Sequence, residues 1–148
     1  METLIAEKKF SVEASQERVW DLLGKVILNS LHGLEKMEVM DENNFRAELK
    51  ARTFGIPLIM RLRGETTDIS PPEALSVRLI AKSKWDLITL VQRITFTLNS
   101  AGEEKVTLVC KAVAEELSPI LRWFFLWPVK SLARQTLESI EERLKQLA

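Results

Sequence analysis

Between Leu34 and Glu116 the chain loses any helical period, and one run there fixes what it can become. Phe45, Ala47, Leu49 and Ala51 alternate with Arg46, Glu48, Lys50 and Arg52. A period of two with apolar and charged residues on opposite sides describes a strand of an antiparallel sheet with one wet face and one buried face. The pattern repeats downstream. Leu58, Met60 and Leu62 oppose Arg61, Arg63 and Glu65, and Leu75, Val77, Leu79 and Ala81 oppose Ser76, Arg78 and Lys82. Turn signals separate the runs: Asp41-Glu-Asn-Asn, Gly55-Ile-Pro, Ser70-Pro-Pro-Glu, Lys84-Trp-Asp and Asn99-Ser-Ala-Gly-Glu. Leu87–Leu98 and Lys105–Glu115 form a last hairpin, and residues 3–13 read as a first strand in which Lys8 breaks the parity of Leu4, Ala6, Phe10 and Val12. Short turns between about seven strands predict an antiparallel meander.

The ends of the chain are helical in pattern. Ser15 is placed to cap a helix over Gln16–Leu23 that Gly24 ends, and Lys25–Leu31 reads as a second short helix ended by Gly33. From Ser118 to Ala148, Pro119 occupies a first helical position, and Val129, Ala133, Leu137, Ile140 and Leu144 make one apolar stripe. Pro128 should kink or split this helix. The strand carrying Val106, Leu108, Cys110, Ala112 and Ala114 shrinks in side-chain volume along its length, which suits close approach of that helix.

Composition excludes several classes. At 148 residues the chain suits a single domain, 1–148, with no linker and no repeat. Its 21 basic and 21 acidic residues balance, so a general nucleic-acid partner is not expected. The lone Cys110 permits no internal disulfide and reads as a small buried apolar residue. No signal-peptide run is visible, and the longest apolar cluster, Trp123 to Val129, is about a third of the ~20 residues that span a bilayer. A cytoplasmic protein is the expectation, with peripheral membrane contact left open. No metal-ligand cluster, phosphate loop, nucleophile elbow or cofactor motif stands out. His32 is the only histidine and reads as a turn or capping residue.

The order strand, two short helices, six strands, long helix resembles the START-like (SRPBCC) superfamily with its helix-grip fold. The segment Phe10-Ser-Val-Glu-Ala-Ser-Gln-Glu-Arg-Val-Trp-Asp-Leu-Leu is similar to the superfamily's entry strand and helix. Gly33-Leu-Glu-Lys-Met-Glu-Val, Asn44-Phe-Arg-Ala-Glu-Leu-Lys and Leu62-Arg-Gly-Glu-Thr-Thr-Asp-Ile-Ser-Pro-Pro look most like the CoxG-like group of carbon monoxide dehydrogenase proteins, with a likeness also to polyketide cyclases. His32-Gly33 stands where the CoxG-like group often has Pro-Gly. The resemblance implies an α+β domain in which a curved seven-stranded antiparallel sheet wraps a long C-terminal helix and encloses an apolar cavity.

Periodicity alone fits a filled interior as well as a hollow one; the resemblance favours the hollow one. Its expected lining is Phe45, Leu49, Leu58, Met60, Leu62, Leu75, Val77, Leu79, Gln92, Ile94, Phe124, Trp127, Ala133 and Leu137. Gln92 shares the parity of Ile94, Phe96 and Leu98, so it would either orient a ligand carbonyl or hydroxyl or bond to backbone. The expected function is binding or carriage of a hydrophobic small molecule such as a lipid, fatty acid or quinone-like compound, with no catalytic residues and no cofactor. The alternatives are a cyclase- or aromatase-type enzyme, which would need polar groups such as Gln92, Thr95 and Asp68 to converge, and an accessory factor docking to a membrane or redox enzyme. Four large aromatics crowd the segment Trp123, Phe124, Phe125 and Trp127, flanked by Arg122, Lys130 and Arg134. Successive helical residues point about 100° apart, so one face cannot hide all four. A gate over the cavity or core packing, a homodimer contact, or a membrane surface met through Trp123, Phe125 and Trp127 all fit.

Overall fold

The computed structural model describes residues 2–31, 34–41, 43–53, 56–84 and 87–148, without the side chains of 51–58. His32, the Gly33 and Gly55 breaks, the Trp85–Asp86 turn and the side chains of Ala51, Arg52 and Leu58 lie outside the described residues. Seven strands form one antiparallel sheet in the order β1-β7-β6-β5-β4-β3-β2. They are β1 (Thr3–Val12), β2 (Leu34–Asp41), β3 (Asn44–Thr53), β4 (Ile56–Ser70), β5 (Ala74–Ser83), β6 (Thr89–Gly102) and β7 (Lys105–Leu117). The helices among the described residues are α1 (Gln16–Ser30), α2 (Pro119–Phe124) and α3 (Leu126–Leu147).

Local chemistry closes the hairpins. The Asp41 carboxylate accepts from the Asn43 N–H at 2.8 Å, and the Glu73 N–H donates to the Ser70 carbonyl at 2.7 Å. The β6–β7 turn lies farther out than the sequence suggests. β6 runs on to Gly102, whose φ of +148° only glycine takes readily.

Between β1 and β2 the expected pair of short helices is a single one. Ser15 caps it as expected, its hydroxyl accepting from the Arg18 N–H at 3.2 Å, but the helix runs on through Gly24 to Ser30. A glycine inside a helix costs only about 1 kcal/mol relative to alanine. The stripe Val19, Leu23, Val26, Ile27, all buried, crosses that position and outweighs it.

The predicted break in the C-terminal helix is real and falls at Phe125, three residues before Pro128. Proline has no N–H to return to the carbonyl of residue 124, so α2 ends there and Pro128 sits in the first turn of α3, where that donor is not needed. The Ser118 hydroxyl, rather than capping α2, accepts from the Thr89 N–H at 3.2 Å.

α3 lies on the concave face beside β1. Lys8, the parity breaker, points inward after a register shift between Leu4 and Ala6 and meets Glu141 at 3.1 Å. The same shift turns Ile5 into the core and Leu4 outward. Burial pushes the Glu141 carboxyl up, but hydrogen bonds from Lys145 and Lys8 prevail and hold it below its usual range. Val106, Leu108, Cys110, Ala112 and Ala114 of β7 are all buried, packed in the core with Leu137, Ile140 and Leu144 of α3.

Candidate functional site

The core is not packed equally along its length. Where α2 and the first half of α3 cross the sheet, a partly open slot of about 100 Å³ remains. Leu49, Met60, Leu62, Leu79, Ala81, Leu90 and Gln92 form its sheet wall. Leu121, Phe125, Pro128, Val129, Leu132, Ala133 and Thr136 form its helical wall, and Leu31 and Leu34 close one end. An engineered cavity of about 150 Å³ lined by apolar side chains takes up benzene, which sets the scale of guest that such a space admits without rearrangement.

Among the described residues two polar side chains interrupt this lining. Gln92 is 8% exposed and Thr136 5% exposed, one on each wall. No side-chain hydrogen bond of the Gln92 amide or the Thr136 hydroxyl occurs among the described residues, and both residues border the slot; the fully enclosed side-chain polar atom without a partner is Ser30 Oγ. Gln92 sits beside a bulge. β6 pairs Val91 with Glu116 but Gln92 with Ala114, so Glu115 is the extra residue on β7. Bulges re-aim neighbouring side chains. This one is pinned on the convex face, where Glu115 accepts from Arg78 at 2.8 Å and lies 3.6 Å from Arg93. The Arg78 hydrogen bond holds the Glu115 carboxyl below its ordinary pKa.

Six of the expected lining residues meet around the slot: Leu49, Met60, Leu62, Leu79, Gln92 and Ala133. Phe45, Leu75 and Val77 line a second hollow of about 240 Å³ instead, between α1 and the β2–β3 hairpin. Ile94 is in the packed core, whereas Leu137, also buried there, lines with Trp127 a third hollow of about 390 Å³ between β1 and α3. Phe124 and Trp127 do not line the slot; they are 69% and 74% exposed. The reason is helical phase. Leu121 and Phe125, four apart, turn inward, which leaves Trp123, Phe124 and Trp127 on the other side of the elbow. Phe125 is correspondingly withdrawn from the outer surface where the sequence suggests a partner contact. Leu121, Phe125, Leu132 and Thr136 are legible as the same stripe as Ala133, and Leu90 by its parity with Gln92. No local pattern singles out Leu31, Leu34 or Ala81 as lining.

Among the described residues no ionisable group lines the slot. Of the three polar residues required to converge for catalysis, only Gln92 reaches it. The Thr95 hydroxyl lies 3.3 Å from that of Ser76, and Asp68 is exposed. Among the described residues no cluster of three or more His, Cys, Asp or Glu could hold a metal, and no helix is long and apolar enough to cross a membrane.

No protein-family model and no curated protein sequence matches the chain. Solved structures do match over nearly its whole length. A conserved protein from Geobacillus kaustophilus superposes with a TM-score of 0.74 at 14% identity, covering 95% of this chain and 91% of that one. Norcoclaurine synthase from Thalictrum flavum, in complex with dopamine and hydroxybenzaldehyde, gives 0.66 at 15% identity, covering 99% and 86%. The Zhui aromatase/cyclase of a Streptomyces species gives 0.51 at 16%, covering 99% and 88%. Likeness at this level of identity speaks for the backbone. Together with the sheet order, the bulges and the terminal helix laid across the concave face, it establishes that this chain has a helix-grip fold.

Proposed function

We propose that the protein binds or carries a small hydrophobic molecule in the slot between the sheet and the α2–α3 elbow. The observation that carries this reading is the slot itself: an apolar space in a domain whose remaining core side chains are almost wholly buried. Burying a guest there would be driven at roughly 25 cal/mol per Å² of apolar surface. The lining among the described residues favours binding over catalysis, because general acid–base chemistry needs a titratable group within hydrogen-bond reach of the reacting atom. Norcoclaurine synthase, which shares the fold, binds the single-ring compounds dopamine and hydroxybenzaldehyde, which favours small aromatic probes. Lipids, fatty acids and quinone-like compounds would enter by one ring or one short acyl segment.

Titration of the protein with p-xylene, followed by NMR shifts of the slot methyl groups, tests this. Saturable shifts at Leu49, Leu79 and Leu132 are expected, and Leu90→Trp, which fills the slot, should abolish them while the fold persists. Absence of saturable shifts, together with no adduct in native mass spectrometry of gently purified protein, would remove the proposal.

The elbow favours a second reading, that the protein meets an anionic membrane surface from the cytoplasmic side. Trp123, Phe124 and Trp127 are 78%, 69% and 74% exposed on the outside of the same elbow whose inside lines the slot. Arg122, Lys130 and Arg134 accompany them, and no acidic residue occurs between Leu117 and Glu138. Amphipathic rings with basic neighbours match the headgroup layer of an anionic bilayer. Flotation with phosphatidylserine-containing vesicles should carry the wild type upward and leave Trp123→Ala/Trp127→Ala behind. Equal behaviour of the two would count against it, and a concentration-dependent dimer lost in the same variant would assign the patch to a second copy of the chain.

A further inference from the structure

We propose that the slot selects a neutral guest carrying one hydroxyl or carbonyl group, which hydrogen-bonds to Gln92 on the sheet wall and Thr136 on the helical wall. The inference rests on the binding reading above and narrows it. Both side chains are more than nine-tenths buried, both line the slot, and neither makes a side-chain hydrogen bond among the described residues. Polar groups that line an apolar space without a side-chain partner keep hydrogen-bonding capacity for a polar atom of the guest. Their chemistry sets its class. A primary amide offers two donors and an acceptor, and a threonine hydroxyl offers one donor and two lone pairs. A guest hydroxyl satisfies the pair by donating to one and accepting from the other; a carbonyl accepts from both.

A carboxylate fits poorly. Among the described residues no Lys, Arg or His lines the slot, so an ionised headgroup would be desolvated there without a counter-charge from them. Phenols, alcohols, ketones and quinones therefore belong to the proposed class, and an ionised fatty acid held head-inward does not.

Three probes of nearly one shape separate the possibilities: p-cresol, p-xylene and 4-methylbenzoate, each titrated at neutral pH by NMR or calorimetry. The wild type should bind p-cresol about tenfold more tightly than p-xylene, the worth of one well-made neutral hydrogen bond, and should take up no 4-methylbenzoate. Gln92→Leu should bring the cresol-to-xylene ratio close to one without weakening p-xylene. Thr136→Val, close in shape to threonine, should lower the same ratio and stands in if Gln92→Leu does not fold. Equal binding of cresol and xylene by the wild type would overturn the inference while leaving slot binding intact. An unchanged ratio in both variants, or 4-methylbenzoate binding as tightly as cresol, would overturn it too. If no probe binds, the slot reading itself falls, and this inference with it.

Discussion

Cys110 shows how one side chain ties the packed half of the core to pH. It is wholly buried on β7, and burial first, then the neighbouring Glu141 charge, pushes its thiol up to about 12, against a smaller opposing effect of Lys8. In the unfolded chain the thiol titrates near about 8.5. Below that pH both states keep the proton and the residue adds no pH dependence. Above it the unfolded state loses the proton while the folded state holds it, so stability falls as pH rises from about 8.5 towards 12. By pH 10 this single group should have removed about 2 kcal/mol. Urea midpoints at pH 8 and pH 10, compared between wild type and Cys110→Ala, isolate the effect: the variant should lose less stability between the two. Parallel losses would mean that the buried thiol is not what titrates.

Among the elements, α3 has two characters. Its C-terminal half is structural: Ile140 and Leu144 are wholly buried in the core that α1 and β7 also build. Its N-terminal half covers the slot, and Leu132 has that space on one side. Truncation should therefore cost very different amounts. Leu144→Ala should destabilise by about 2–5 kcal/mol, the range for a side chain removed from a close-packed interior. Leu132→Ala removes the same atoms next to an existing space and forfeits fewer contacts, so about 1 kcal/mol is expected. Denaturant unfolding of both variants gives the comparison, and equal losses would mean that the slot is not a standing feature of the folded protein. The same elements show what sequence can and cannot convey. The strands are legible because charge alternates with apolar residues at every second position, and the α3 stripe because Ala133, Leu137, Ile140 and Leu144 repeat at three and four. The elbow is not: four aromatics crowded into five positions carry no period, and which of them turns inward depends on the phase that Leu121 sets from the preceding helix. The sequence divides α1 at Gly24 because a local helix breaker is visible there, whereas the buried stripe that overrides it is a tertiary fact.

At the scale of the whole molecule, the described residues leave more than one hollow, and a cross-strand row stands between the slot and the second hollow. Phe45 pairs with Gly64, Gly64 with Leu79, and Leu79 with Gln92. Leu79 and Gln92 line the slot, while Phe45 lines the second hollow. Gly64 is what allows the row to close. A Cβ there would land on the Phe45 ring, so only glycine lets that ring lie flat over the strand between the two spaces. The ring thus acts as a partition, and guest length should depend on it. Phe45→Ala would remove most of the ring and join about 100 Å³ to about 240 Å³, creating a space within the range that holds whole drug-sized ligands. A side-chain loss of this kind should destabilise the domain by about 3–5 kcal/mol, so binding is best measured well below the melting temperature. With 1-butanol and 1-octanol as probes, the wild type should show little preference for the longer alcohol beyond the part the slot can hold. Phe45→Ala should gain affinity for 1-octanol while 1-butanol is nearly unchanged, because only the longer chain reaches across the row. Were 1-octanol to gain nothing, the two hollows would be independent spaces and Phe45 an ordinary core residue that happens to stand between them.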